Sequence, residues 1–165
     1  MPTSLPKYYF ILLFSVIAWC CLIILPPVLG SLNAGGSLIG DYIYAGFSKI
    51  CHQYDSRSFQ FAGYKFAVCS RCTAIYFGFL AGLMVWGWKR GKMMSRARVW
   101  WMVAMLPMVI DVFLDMMSIH ESTFLTRTIS GSVFGGVASC ILTPVFIVAC
   151  SEFVQRRYQS KGISS

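Results

Sequence analysis

The sequence is poor in charge. Only 12% of its 165 residues are charged, against about 25% in a soluble domain. Acids are scarcer still, six Asp and Glu against fourteen Lys and Arg. With 57% hydrophobic residues, so short a chain cannot hide its apolar surface in a water-soluble core. That excludes an ordinary soluble domain and makes a lipid bilayer the expected solvent. No internal repeat or low-complexity segment is present, so the whole of 1–165 reads as one membrane domain. The net charge of +8 raises nucleic acid as a partner. The basic residues, however, flank apolar runs instead of interleaving with a polar aromatic face, so no nucleic-acid binding is expected.

What is present is four apolar runs long enough to cross a bilayer, which takes about 20 helical residues. They cover about 8–29, 70–88, 99–117 and 128–150. The first, "YYFILLFSVIAWCCLIILPPVL", has no charge. It exceeds the roughly 7–15 apolar residues of a signal-peptide core, so it reads as a retained span, with "SLNA" at 31–34 as a weak cleavage alternative. Nine basic residues fall on one side: Lys7, five in "KRGKMMSRAR" (89–98), and three in the tail 151–165. The other side has five: Lys49, Arg57, Lys65, Arg71 and Arg127. The positive-inside rule then puts both termini and the loop 89–98 in the cytoplasm of a cell (inner) membrane protein. The polar interval 31–69 faces out. Within it, Leu38, Ile39, Tyr42, Ile43, Phe47 and Ile50 recur at three- and four-residue spacing, which predicts an amphipathic interfacial helix delivering Cys51 and His52.

The outer interval "KICHQYDSRSFQFAGYKFAVCSRCTAIY" (49–76) holds three of the seven cysteines. Thiolate and imidazole are zinc's preferred ligands, and Cys-x2-Cys is a usual half-site, so Cys51, His52, Cys69 and Cys72 are the expected metal ligands. Adjacent side chains diverge on a regular element. Cys51 and His52 therefore both bind only from an irregular turn; otherwise three of the four bind and leave a position for water. The second reading is redox. Cys69 and Cys72 lie near a helix start, where the dipole and Arg71 favour a thiolate. The arrangement resembles, in outline, four-span quinone-coupled disulfide-forming proteins. Those need a second cysteine pair in the second outer loop, and "SIHESTFLTR" has none. The third reading is a disulfide that pins the loop. Cys20, Cys21, Cys140 and Cys150 lie within spans and read as packing residues.

Asp111 and Asp115, four apart, share a helix face at membrane depth, where a carboxylate is costly. With His120, Glu121 and Arg127 they gather at the outer end. Asp111, Asp115 or Glu121 is the expected base of a metal-dependent reaction on a lipid-like or envelope substrate, or on a quinone in the redox reading. The alternative for the aspartates is an Asp–Arg pair that fixes packing. Arg57 and Arg71 are the expected ligand- or cofactor-binding cations. Arg57 suits a phosphate or carboxylate, or it neutralises Asp55. "GFLAG" and "GSVFGG" carry small residues four apart, the pattern of close helix packing, within the chain or between copies.

These motifs resemble a family of small bacterial and archaeal membrane proteins, domain of unknown function 2085. The resemblance covers roughly 45–140. It rests on Cys51, His52, Gln53, Arg57, Ser58, Phe59, Gly63, Cys69, Arg71, Cys72, Thr73, Tyr76 and Gly78, with Pro107, Asp111, Arg127 and Gly131 as a weaker second half. Ala74 stands where glycine is expected and Asp115 where an amide is expected. The resemblance implies a membrane protein with a Cys/His signature and assigns no activity. The expectation is an all-α integral membrane four-helix bundle with an interfacial helix before the second span. Three classes stand open: a zinc site with or without catalysis, a thiol–disulfide or quinone-linked protein, and a scaffold or transport subunit.

Overall fold

Proline has no N–H, so each proline inside a helix leaves one carbonyl without its donor four residues on. The first helix of the computed structural model, α1 (Lys7–Leu32), contains Pro26 and Pro27. The model describes residues 7–32, 37–88, 106–113, 117 and 123–162, with side chains as far as Arg156. Pro27 cannot donate to the Ile23 carbonyl. The Ala67 N–H does so instead, at 3.1 Å, from the end of the outer loop. Ile23 itself is wholly buried.

Around that point lies the core. Ile23, Phe47, Cys51, Ala67 and Val68 form one buried cluster, with Ile43, Tyr44, Cys69, Cys72 and Tyr76 packed against it. A helix, α2 (Leu38–Phe47), covers the stretch expected to lie in the interface; it is capped by Ser37, whose hydroxyl accepts from the Gly40 amide at 3.4 Å. Its apolar residues divide between two faces. Phe47 and Ile43 turn to the cluster, while Leu38, Ile39 and Tyr42 are exposed. A helix apolar on both sides suits a position between a protein core and lipid.

The loop then makes a 3-10 turn (Asp55–Arg57) and a small antiparallel hairpin, β1 (Gln60–Phe61) with β2 (Tyr64–Lys65). Ala62 and Gly63 between them both have positive φ, 51° and 83°, as the tightest hairpin turn requires. The Tyr64 ring lies over Gly30 of α1, where an added Cβ would come within 2.6 Å of it. These strands are an addition to the all-α expectation.

The other helices are α3 (Ser70–Trp88), α4 (106–113) and α5 (Phe124–Gly162). Expected span 99–117 is described mainly through α4. Asp115, His120 and Glu121 lie outside the described residues. Two helices among the described residues, Lys7–Leu32 and Phe124–Arg156, are long and apolar enough to cross a membrane. Only 22% of each span is buried. Phe10, Ile11, Phe14, Leu125, Ile129, Val145 and Phe153 stand exposed, a surface that water disfavours and lipid accepts. At 39 residues, α5 runs for about 58 Å, well beyond a hydrocarbon core of about 30 Å.

Helices α3 and α5 meet backbone to backbone. A Cβ on Gly131 would lie 2.7 Å from the Arg71 carbonyl, on Gly135 2.8 Å from the Phe79 amide, and on Gly82 2.5 Å from the Gly136 carbonyl. Contacts advance along both helices together, so α3 and α5 are parallel. Helix α1 runs opposite to α3. Its start places the Tyr9 hydroxyl on the Leu83 carbonyl at 3.2 Å, and further along Trp19 packs edge-on to Tyr76.

Gly135→Leu should therefore lower the unfolding temperature in detergent sharply, by at least the upper end of the about 1–3 kcal/mol that overpacking costs. Gly46→Ala, where an added Cβ meets nothing within 4 Å, should change little. Equal stability of the two variants would refute the backbone contact.

Candidate metal centre

Two chain segments bring the cysteines together. Cys51 follows the end of α2, where its amide bonds the Phe47 carbonyl at 3.0 Å. Cys69 immediately precedes α3, and Cys72 lies in its first turn. The Cys51, Cys69 and Cys72 sulfurs all lie within 4.8 Å of one another. Each is a free thiol. Cys51 is buried, and Cys69 and Cys72 are half-buried.

Backbone amides point at the first sulfur. The Cys69 N–H donates to Cys51 Sγ at 3.2 Å, and the nearby Gln53 N–H also favours the charged form of that sulfur. Gln53 reaches that position with φ of 52°, the left-handed region that a non-glycine residue seldom adopts. Its side chain holds it there. The Gln53 amide donates to the Tyr44 and Ala67 carbonyls, both at 2.8 Å, and Lys65 donates to the Gln53 carbonyl at 3.1 Å. Lys65 also pairs with Asp55 at 2.6 Å. Gln53 thus clamps α2 to the strand leading into α3. Hydrogen bonds from the Cys69 and Cys72 side chains, aided by these amides, hold the Cys51 thiol far below its usual range. This placement favours the thiolate, the form that binds metals.

His52 is outside this group. It is exposed and stacks on Tyr54, ring centroids 5.8 Å apart. The chain there turns, as the adjacent Cys–His pair demanded, but only the cysteine turns inward. Arg57 lies over the other neighbour of that stack, 5.7 Å from the Tyr54 ring centre. Arg71 pairs with Asp111 at 2.5 Å, with side chains 18% and 13% exposed. This is the Asp–Arg packing pair, and it ties α4 to the start of α3.

A cavity of about 230 Å³ opens beside the sulfurs. Its lining includes all three cysteines, His52, Arg57, Ser70, Arg71 and Arg127. Arg127 and Ser70 were not singled out as site residues from sequence. Arg127 was legible as an odd cation at the start of an apolar helix. Ser70 sits between two cysteines and carries no signal of its own.

Sulfurs on a tetrahedral zinc with bonds of about 2.3 Å lie about 3.8 Å apart, and the observed cluster needs little adjustment to reach that. Three thiolates suit zinc or another thiophilic ion better than a hard cation such as magnesium.

The profile of a family described as predicted membrane protein (DUF2085) matches residues 51–141, a stretch that opens on Cys51 and contains Cys69, Cys72, Asp111 and Arg127. An uncharacterised protein of Methanocaldococcus jannaschii is 33% identical over 158 residues, 93% of this chain and 99% of the relative. An uncharacterised protein of Methanothermobacter thermautotrophicus is 33% identical over 103 residues, 60% of this chain and 88% of the relative. No solved structure matches the chain. The chain belongs to the DUF2085 family of predicted membrane proteins.

Proposed function

We propose that the protein is a four-span cell-membrane protein whose outer end holds zinc through Cys51, Cys69 and Cys72. The observation that carries the reading is the convergence of three free sulfurs within 4.8 Å, with amides directed at one of them. A disulfide would join two of the three and leave one over; a metal uses all three. The side facing the cavity supplies the fourth position, for water or a substrate atom. His52 in that position would close the site and make it purely structural. Its stack on Tyr54 favours the open form.

Zinc bound this way supplies Lewis acidity and a water of lowered pKa. The chain's own contribution is geometric. Gln53 and the Ala67–Ile23 hydrogen bond fix the loop, and the start of α3 presents the Cys69 and Cys72 sulfurs. The Asp111 carboxylate is engaged by Arg71, so we assign it a positioning role. Asp115 and Glu121 remain the proposed acid–base groups of a reaction on a lipid-like substrate.

The parallel α3 and α5 support four crossings. Trp88 ends α3 about 26 Å along the helix from Arg71, yet α5 begins beside the loop, with Phe124 4.7 Å from Phe59. Asp111 of α4, which lies between them in sequence, pairs with Arg71 at the start of α3, and this supports a third crossing. The basic loop 89–98 and the tail then share the cytoplasmic side, and the thiolates lie outside.

Purified protein should contain about one zinc per chain, and Cys69→Ser should lose it with the helices intact. Acid should release the metal, because protons compete for the thiolates as pH falls. Metal-free protein with Cys69 and Cys72 cycling between thiol and disulfide in cells would favour the redox reading instead.

For topology, a Ser56→Cys variant should label with an impermeant maleimide from outside intact cells. A fluorescent protein fused after Ser165 should glow in the cytoplasm. The opposite pattern would invert the orientation.

For the ion pair, Asp111→Asn should cost about 3 kcal/mol, since it strands a largely buried guanidinium. Replacing both Arg71 and Asp111 by Leu should recover most of that. A single variant as stable as the wild type would remove the positioning role.

A further inference from the structure

Three arginines from separate elements line the cavity beside the sulfurs: Arg57 from the 3-10 turn, Arg71 from α3 and Arg127 from α5. Arg127 is only 6% exposed. No carboxylate belongs to the described lining. Ser70 adds an independent sign. Its residue is wholly buried, it lines the cavity, and its Oγ has no hydrogen-bond partner among the described residues. A buried hydroxyl left so is costly, and an occupant that accepts its proton removes the cost.

We propose that this cavity binds a phosphate group. Each guanidinium carries five N–H donors in a fork, and a single carboxylate occupies at most two of them. Arg71 therefore retains donors beyond its bond to Asp111, and the proposal requires no unpaired arginine. A carboxylate is planar and suits one fork along one edge. A phosphate presents oxygens in several directions, matching donors that arrive from three elements and a serine. The rim is the His52–Tyr54–Arg57 stack, with Arg57 exposed and able to close on the anion. Exposed Ile50 beside the cavity, and Leu38, Ile39 and Tyr42 on α2, put the rim at an apolar surface. The phosphate belongs to a lipid headgroup or to a soluble phosphate; the chemistry that binds it is the same. The inference deepens the reading of an outer-face site on lipid-like substrates and stands without the metal.

The test is titration of full-length protein in neutral detergent, read by tryptophan fluorescence and thermal unfolding. One arm uses inorganic phosphate against chloride at equal ionic strength. The other uses phosphatidic acid against phosphatidylcholine in mixed micelles. Saturable stabilisation by phosphate identifies a site open to soluble anions; stabilisation by phosphatidic acid alone identifies the headgroup. Arg57→Gln on the exposed rim, and separately Ser70→Ala, should each weaken the binding about tenfold, the loss of one good charge-assisted bond. Zinc measured in the same samples should be unchanged by Arg57→Gln, which separates failure here from failure of the metal site. No response to either probe, or equal binding by wild type and both variants, would overturn the proposal.

Discussion

The site depends on one hydrogen bond across the top of the first helix. Pro27 removes the donor that the Ile23 carbonyl would have had, and Ala67 supplies another from 44 residues further along the chain. Ile23 is wholly buried, so its carbonyl cannot rely on water for a partner. Ala67 is therefore held to α1, and with it Val68, which leads directly into Cys69. The buried cluster around Ile23 and Val68 fills the space beneath, and Cys51 is one of its members. A helix-breaking residue thus becomes the fixed point from which the sulfurs are placed.

Much of this was readable before any coordinates. The uncharged run 8–29 reads as a membrane helix because nothing in it resists lipid, and α1 covers it. The glycine spacing in "GFLAG" and "GSVFGG" marks two faces able to approach closely, and they approach each other. Cys51, Cys69 and Cys72 were chosen for their chemistry and converge. The hairpin was harder to see, because its turn uses Ala62 in a left-handed conformation where asparagine or glycine is the usual signal. Gln53 was visible only as part of a signature. Its importance comes from three carbonyl-level contacts that no spacing rule encodes. His52 shows the limit of composition. Residue type made it a ligand, whereas the turn after Cys51 sends it outward to Tyr54. The apolar residues of α2 divide between two faces for a related reason. Periodicity finds apolar residues but cannot tell protein from lipid as the thing they touch, and Ile43 and Leu38 ended on opposite sides.

The site also concentrates the unusual polar groups of an oily chain. Thiols, guanidiniums, Ser70 and the Arg71–Asp111 pair share one end of the bundle. Elsewhere among the described residues, buried hydroxyls such as those of Ser139 and Thr143 satisfy themselves on their own helix, at 2.7 Å and 2.6 Å. That contrast separates side chains that only pack from those arranged around a space.

The backbone contact between α3 and α5 bears on how anything enters. With glycines in place of side chains, the two helices have no soft layer between them that could be compressed or parted. Arg71 and Cys72 on one helix and Arg127 on the other thus form a stiff floor. The wall opposite is a loop hung from α1 by the Ala67–Ile23 hydrogen bond and roofed by stacked rings. That wall is the part of the cavity free to breathe, so the ligand proposed above would enter past Tyr54 and Ile50 and not up between the helices.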